Sequence, residues 1–121
     1  MTTDQLEAGD VVWDLSDLLA GRSPDPETAF GELLDEADRL TDALATQRGQ
    51  VSGFDAGVLV EFMQRQADLA DLLGRAGSWA SLEFAADMSD PAKGARMQRY
   101  QERATAMSTK LIWFDLEWAA L

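Results

Sequence analysis

Ser89–Leu121, SDPAKGARMQRYQERATAMSTKLIWFDLEWAAL, is the stretch whose reading decides the fold. Asp90 or Ser89 can cap a helix, and Pro91 suits its first turn, where a missing N–H costs nothing. From there Met97, Tyr100, Ala104, Met107, Leu111, Phe114, Trp118 and Leu121 recur at alternating steps of three and four. That spacing predicts one long helix with a continuous apolar seam. Either a self-associating coiled coil or a long helix in a bundle would show it. The flanking positions are not an ordered Glu/Lys set and the seam mixes Ala with Trp, which favours the bundle.

The end of this stretch differs from its middle. Nine of the eleven residues from Leu111 to Leu121 are apolar, and they lie all round the helix. A helix apolar on every side is normally buried on every side. Burying one such side chain is worth roughly 1.5–3 kcal/mol, so a small three-helix domain needs something more to cover this end. The expectation is a domain truncated at its C-terminal end, with Trp113, Leu116 and Trp118 as candidate contacts with the missing part. A homodimer interface is the competing explanation.

Working back along the chain, Asp55 is a plausible cap for a second long helix reaching about Asp87. Its apolar positions include Leu59, Phe62, Met63, Leu69, Leu73, Ala76, Ala80 and Phe84. Leu72, Trp79 and Leu82 broaden that surface, and Gly74 and Gly77 are expected to bend or divide the helix. Before it, Ser23-Pro24-Asp25-Pro26-Glu27 opens a helix, with Asp25 as cap and Pro26 at the first position. Phe30, Leu33, Leu34, Ala37, Leu40, Thr41 and Leu44 make its apolar stripe, while Glu32, Asp35, Glu36, Asp38 and Asp42 mostly face away. Leu15, Leu18 and Leu19 predict a short helical turn ended by Gly21. Residues 1–12 read as a flexible lead-in. The fold class is therefore all-α: an antiparallel bundle of three long helices over 13–121, preceded by a short N-terminal helical turn.

Composition narrows the chemistry. The 121 residues include no Cys and no His, which removes disulfides, thiolate and imidazole zinc sites, and His-based triads. The net charge of −12 disfavours nucleic acid and anionic membranes. The acids are unevenly spread: residues 1–60 hold 13 acidic and 3 basic residues, and residues 61–121 hold 9 and 7. No charged signal-peptide start and no spanning apolar run occur, so a cytoplasmic setting is the default. Asp14 with Asp17, and Asp35 with Asp38 and Asp42, share helix faces. An acid/base pair, however, needs environments that separate the two pKa values, and a solvated face does not supply them. Arg96, Arg99 and Arg103 form a basic patch, expected to pair with the acidic helix after Asp25; the alternative is a peptide carboxylate. Tyr100 lies on the apolar seam and is expected in the core with its hydroxyl at the edge.

Three stretches together resemble the N-terminal region of oligoendopeptidase F and related peptidases of the thimet oligopeptidase superfamily. They are Trp13-Asp14-Leu15-Ser16-Asp17-Leu18-Leu19, the acidic turn Asp87-Met88-Ser89-Asp90-Pro91, and Leu111-Ile112-Trp113-Phe114-Asp115-Leu116-Glu117-Trp118. The likeness spans about residues 11–121. It implies a zinc metalloendopeptidase, a hydrolase of short peptides, whose HExxH helix and a later Glu hold the metal. None of those positions exists in this sequence, so no catalytic, cofactor-binding or metal residue is carried over. What is implied here is a helical N-terminal domain that helps wall a substrate channel. Its implied partners are the catalytic domain of the same protein and an oligopeptide substrate, with zinc in the full-length parent.

Overall fold

In the computed structural model, residues 15–121 are described. The reading of 1–12 as a lead-in, and of Trp13 and Asp14, lies outside them. Three long helices account for most of the described chain: α1 (Pro26–Ala45), α2 (Ala56–Ala86) and α3 (Pro91–Ala119). A 3-10 turn, Ser16–Leu19, precedes α1, and a second, Val51–Gly53, lies between α1 and α2. No strand occurs among the described residues.

Each long helix starts where a carboxylate can satisfy its free N–H groups. Asp25 accepts from the Thr28 N–H at 3.0 Å and from the Thr28 hydroxyl at 2.6 Å. Asp55 accepts from the Val58 N–H at 2.8 Å, and Asp90 from the Ala92 N–H at 2.9 Å. Pro26 and Pro91 sit just inside the first and last of these starts. The expected division at Gly74 and Gly77 does not occur: α2 runs as one helix through both.

Each long helix packs on the other two. The stripe on α1 is buried as expected at Phe30, Leu33, Leu34, Ala37, Thr41 and Leu44, joined by Ala29; Leu40 is half-buried. Thr41 is tolerated inside because its hydroxyl donates to the Ala37 carbonyl at 2.8 Å. From α2 come Phe62, Leu69, Leu72, Ala76, Trp79 and Ala80. The contribution of α3 is thinner. Only Met107, Trp113 and Phe114 are buried apolar residues there, while Met97, Tyr100, Ala104 and Leu111 of the expected seam are half-buried.

Charge supplies what α3 lacks in apolar cover. Arg96 is only 8% exposed. Its Nε donates to Glu27 at 2.7 Å, and its guanidinium carbon lies 4.3 Å from the centroid of the Trp79 ring. Along the same edge Arg99 pairs with Glu27, Arg103 with Asp35 and Asp38, and Lys110 with Asp42. The basic patch therefore meets the acidic face of α1, as the sequence suggested. Partner numbers rise together along α1 and α3 and move in opposite directions along α2 and α3, where Glu83 pairs with Lys93 and Phe62 stacks on Phe114.

Helix lengths explain where cover runs out. α1 has 20 residues against 31 and 29 for α2 and α3, so those two outreach it by about 14–16 Å in total. The last α1–α3 ion pair is Asp42–Lys110. Beyond it the connection after α1 takes over as the wall: Glu117 accepts from the N–H of Gly49 at 2.8 Å and of Val51 at 3.3 Å. Gly49 has φ +84°, a left-handed conformation that suits glycine, and this bends the chain back toward α3.

Candidate functional site

The residues singled out from the sequence, Trp113, Leu116 and Trp118, occupy the last turns of α3 but not one environment. Trp113 is 4% exposed. Its ring lies 5.9 Å from Phe62 and 6.1 Å from Phe114, in edge-on geometry to both. Phe62 in turn stacks on Phe114 at 4.6 Å and touches Phe54 at 5.6 Å. Trp113, unlike the other two, has its ring covered by neighbours from within the described residues. The physical reason is its position one turn before Glu117, on the flank of α3 turned toward the connection after α1. Its indole Nε1 is buried with no hydrogen-bond partner among the described residues.

Leu116 and Trp118 are on the outside, 67% and 51% exposed. Trp118 stacks on Phe114 at 6.2 Å and is about half exposed. Ile112 and Leu121 are equally open, as are Val60 and Met63 near the start of α2. Sequence reasoning grouped Trp113 with these residues because both kinds sit in one apolar run. It did not single out Ile112 or Met63, whose solvent-facing side of the α2–α3 pair shows only when the two helices are placed together.

The charged groups serve structure. Hydrogen bonds from Thr28 hold the Asp25 carboxyl below its ordinary value. For Arg103, burial works against the charge, yet the hydrogen bonds and charges of Asp38 and Asp35 outweigh it and the pKa rises. The Asp42 carboxylate raises that of Lys110. Asp35, Asp38 and Asp42 are thus counter-ions to α3. Tyr100 is half-buried, as expected, and burial pushes its hydroxyl pKa up. It lies where Gly77 has no side chain: a Cβ on Gly77 would sit 2.5 Å from the Tyr100 Cζ.

The zinc implied by the family resemblance does not fit the residues present. The sequence has neither His nor Cys, and no group of three or more carboxylates among the described residues is placed to hold a metal. No helix among the described residues is long and apolar enough to cross a membrane. No family model, curated protein or solved structure matches the chain.

Proposed function

We propose that this chain is the non-catalytic N-terminal helical domain of an oligoendopeptidase F-like zinc metalloendopeptidase, a cytoplasmic enzyme that hydrolyses short peptides. In this reading the domain is an up-down-up bundle, α2 antiparallel to its two neighbours, and forms part of the substrate-channel wall. Its partners are the catalytic domain of the same protein and, through the assembled channel, an oligopeptide. Zinc belongs to that catalytic domain. Nucleic acid and membranes are not partners, consistent with the charge of −12.

The observation that carries the reading is the apolar end of α3. Ile112, Leu116, Trp118 and Leu121 stand in water on one short stretch, and apolar surface gathered in this way marks an interaction site. Support for the bundle comes from the order of contacts: Lys93, Tyr100 and Phe114 meet Glu83, Gly77 and Phe62 in turn. The resemblance in the three quoted stretches supplies the family.

The reading frame beyond the codon for Leu121 is the test. An HExxH helix followed by a further Glu supports the assignment; a stop codon directly after Leu121 overturns it. Zinc-dependent peptide cleavage by rigorously pure 1–121 also overturns it. A second reading, a stand-alone acidic interaction protein that dimerises, rests on the same exposed residues. Sedimentation decides it: a concentration-dependent dimer that Trp118→Asp dissociates favours the homodimer.

A further inference from the structure

We propose that the groove between α2 and α3, on the side away from α1, binds an amphipathic helix that carries a lysine or arginine opposite Asp115. The groove encloses about 340 Å³. Leu69, Leu73, Met107 and Leu111 form its floor, and all four belong to or pack against the apolar core. Its rim is Gln66 on one side and Ser108, Ile112 and Asp115 on the other. Ile112 is 61% exposed, so the floor's apolar character continues up onto the rim.

The shape selects a helix. Both walls are helices, and the ridges of a third helix pack naturally into the furrow between two others. Such grooves read apolar anchors at i, i+3 or i+4, and i+7, because these positions share one face. α1 packs on both α2 and α3 through Leu33, Leu34 and their neighbours, and among the described residues none from α1 lines this groove, so it is the equivalent place for one more helix.

Charge selects its sign. Asp115 is the one charged residue that lines the groove, and it makes no ion pair or hydrogen bond among the described residues. The neighbouring charges on α3 are engaged elsewhere, Lys110 with Asp42 and Glu117 with the Gly49 and Val51 N–H groups. A chain of net charge −12 draws in a cationic partner and repels an anionic one, a second copy of itself included.

The groove's occupant is testable on this chain alone, so its outcome is separate from that of the peptidase assignment. Fluorescence anisotropy would follow a labelled Leu/Lys amphipathic peptide of about 18 residues, five turns of helix. A Leu/Glu peptide with the same apolar face is the comparison. The Leu/Lys peptide is expected to bind saturably and at least about tenfold more tightly than the Leu/Glu peptide. Asp115→Asn should weaken it about two- to fivefold, the range of one exposed ion pair. Ile112→Gln should weaken it by about tenfold, from lost apolar contact on the rim. Both positions are exposed, and an unchanged circular dichroism spectrum confirms that the variants fold. Asp68→Asn, on the α1–α2 flank, should leave binding unchanged. Equal affinity for the two peptides, an equal loss with Asp68→Asn, or no saturable binding would each overturn the proposal. So would a self-dimer that buries Ile112 and that the Leu/Lys peptide does not displace.

Discussion

Two glycines one turn apart on α2 should respond to the same substitution with opposite sign. Gly74 is exposed, and a Cβ there meets nothing within 4 Å. Gly74→Ala should therefore show the bare helix-propensity gain, about 0.8–1 kcal/mol of added stability. At Gly77 the same methyl would lie 2.5 Å from Cζ and 2.6 Å from Oη of Tyr100. Ordinary carbon contact begins near 3.5 Å, so the ring must retreat by about 1 Å or more. Overpacking of that kind costs about 1–3 kcal/mol. Set against the same propensity gain of about 0.8–1 kcal/mol, Gly77→Ala should come out destabilising by about 0–2 kcal/mol. The two variants should thus differ by about 1–3 kcal/mol. Urea unfolding followed by helical circular dichroism measures both, with the slope checked for constancy. Tyr100→Ala provides the control: with the ring removed, Gly77→Ala should become stabilising, like Gly74→Ala. If the two alanines shift stability alike in the natural background, or if the Gly77 effect ignores Tyr100, the close approach does not govern this position.

Other expectations follow from the same contacts. Phe62→Ala removes the ring shared by Phe54, Trp113 and Phe114 and should cost about 3–5 kcal/mol, read from urea midpoints. Glu27→Gln leaves the buried Arg96 guanidinium without its counter-charge and should cost about 1–3 kcal/mol; an Arg96→Met, Glu27→Gln pair should recover part of the loss. Glu117→Ala strips acceptors from Gly49 and Val51 and should cost about 1–2 kcal/mol, with faster amide exchange at those two residues. For Asp25 the folded pKa lies below the ordinary 3.8, so its contribution is fully present above that pH and fades as pH falls through the lowered value. The stability gap between the natural chain and Asp25→Asn should be constant above pH 3.8 and narrow below it; a gap that widens on acidification would contradict this. Lys110 has the opposite sign: its raised pKa gives a contribution present below pH 10.5 that is lost as pH climbs through the raised value.

Local signals were the legible ones. Asp25-Pro26 and Asp90-Pro91 announce helix starts because a cap needs only the residues of its own first turn. The α1 stripe was legible because that helix has one apolar side and one charged side. The limits appear wherever a residue's fate is set from far along the chain. Arg96 is buried because Glu27, 69 positions away, supplies a carboxylate and Trp79 a ring face. Gly77 reads as a helix breaker until Tyr100 is seen to need its empty space. Trp113 and Trp118 look equivalent in an apolar run, but only Trp113 lies on the flank covered by Phe62 and by the connection held through Glu117.

The ladder between α1 and α3 also has a kinetic meaning. Its ion pairs join residues 65–72 positions apart, whereas α2 and α3 are joined by a four-residue turn, Asp87 to Asp90. Closing the longer loop comes with a larger entropic penalty, so the α2–α3 pair should assemble first and the ladder zip late. Ladder bonds are then mostly absent from the folding transition state. Weakening them should leave the rate of folding nearly unchanged and speed unfolding, so Arg96, Arg103 and Lys110 act as latches that set how long the finished molecule lasts.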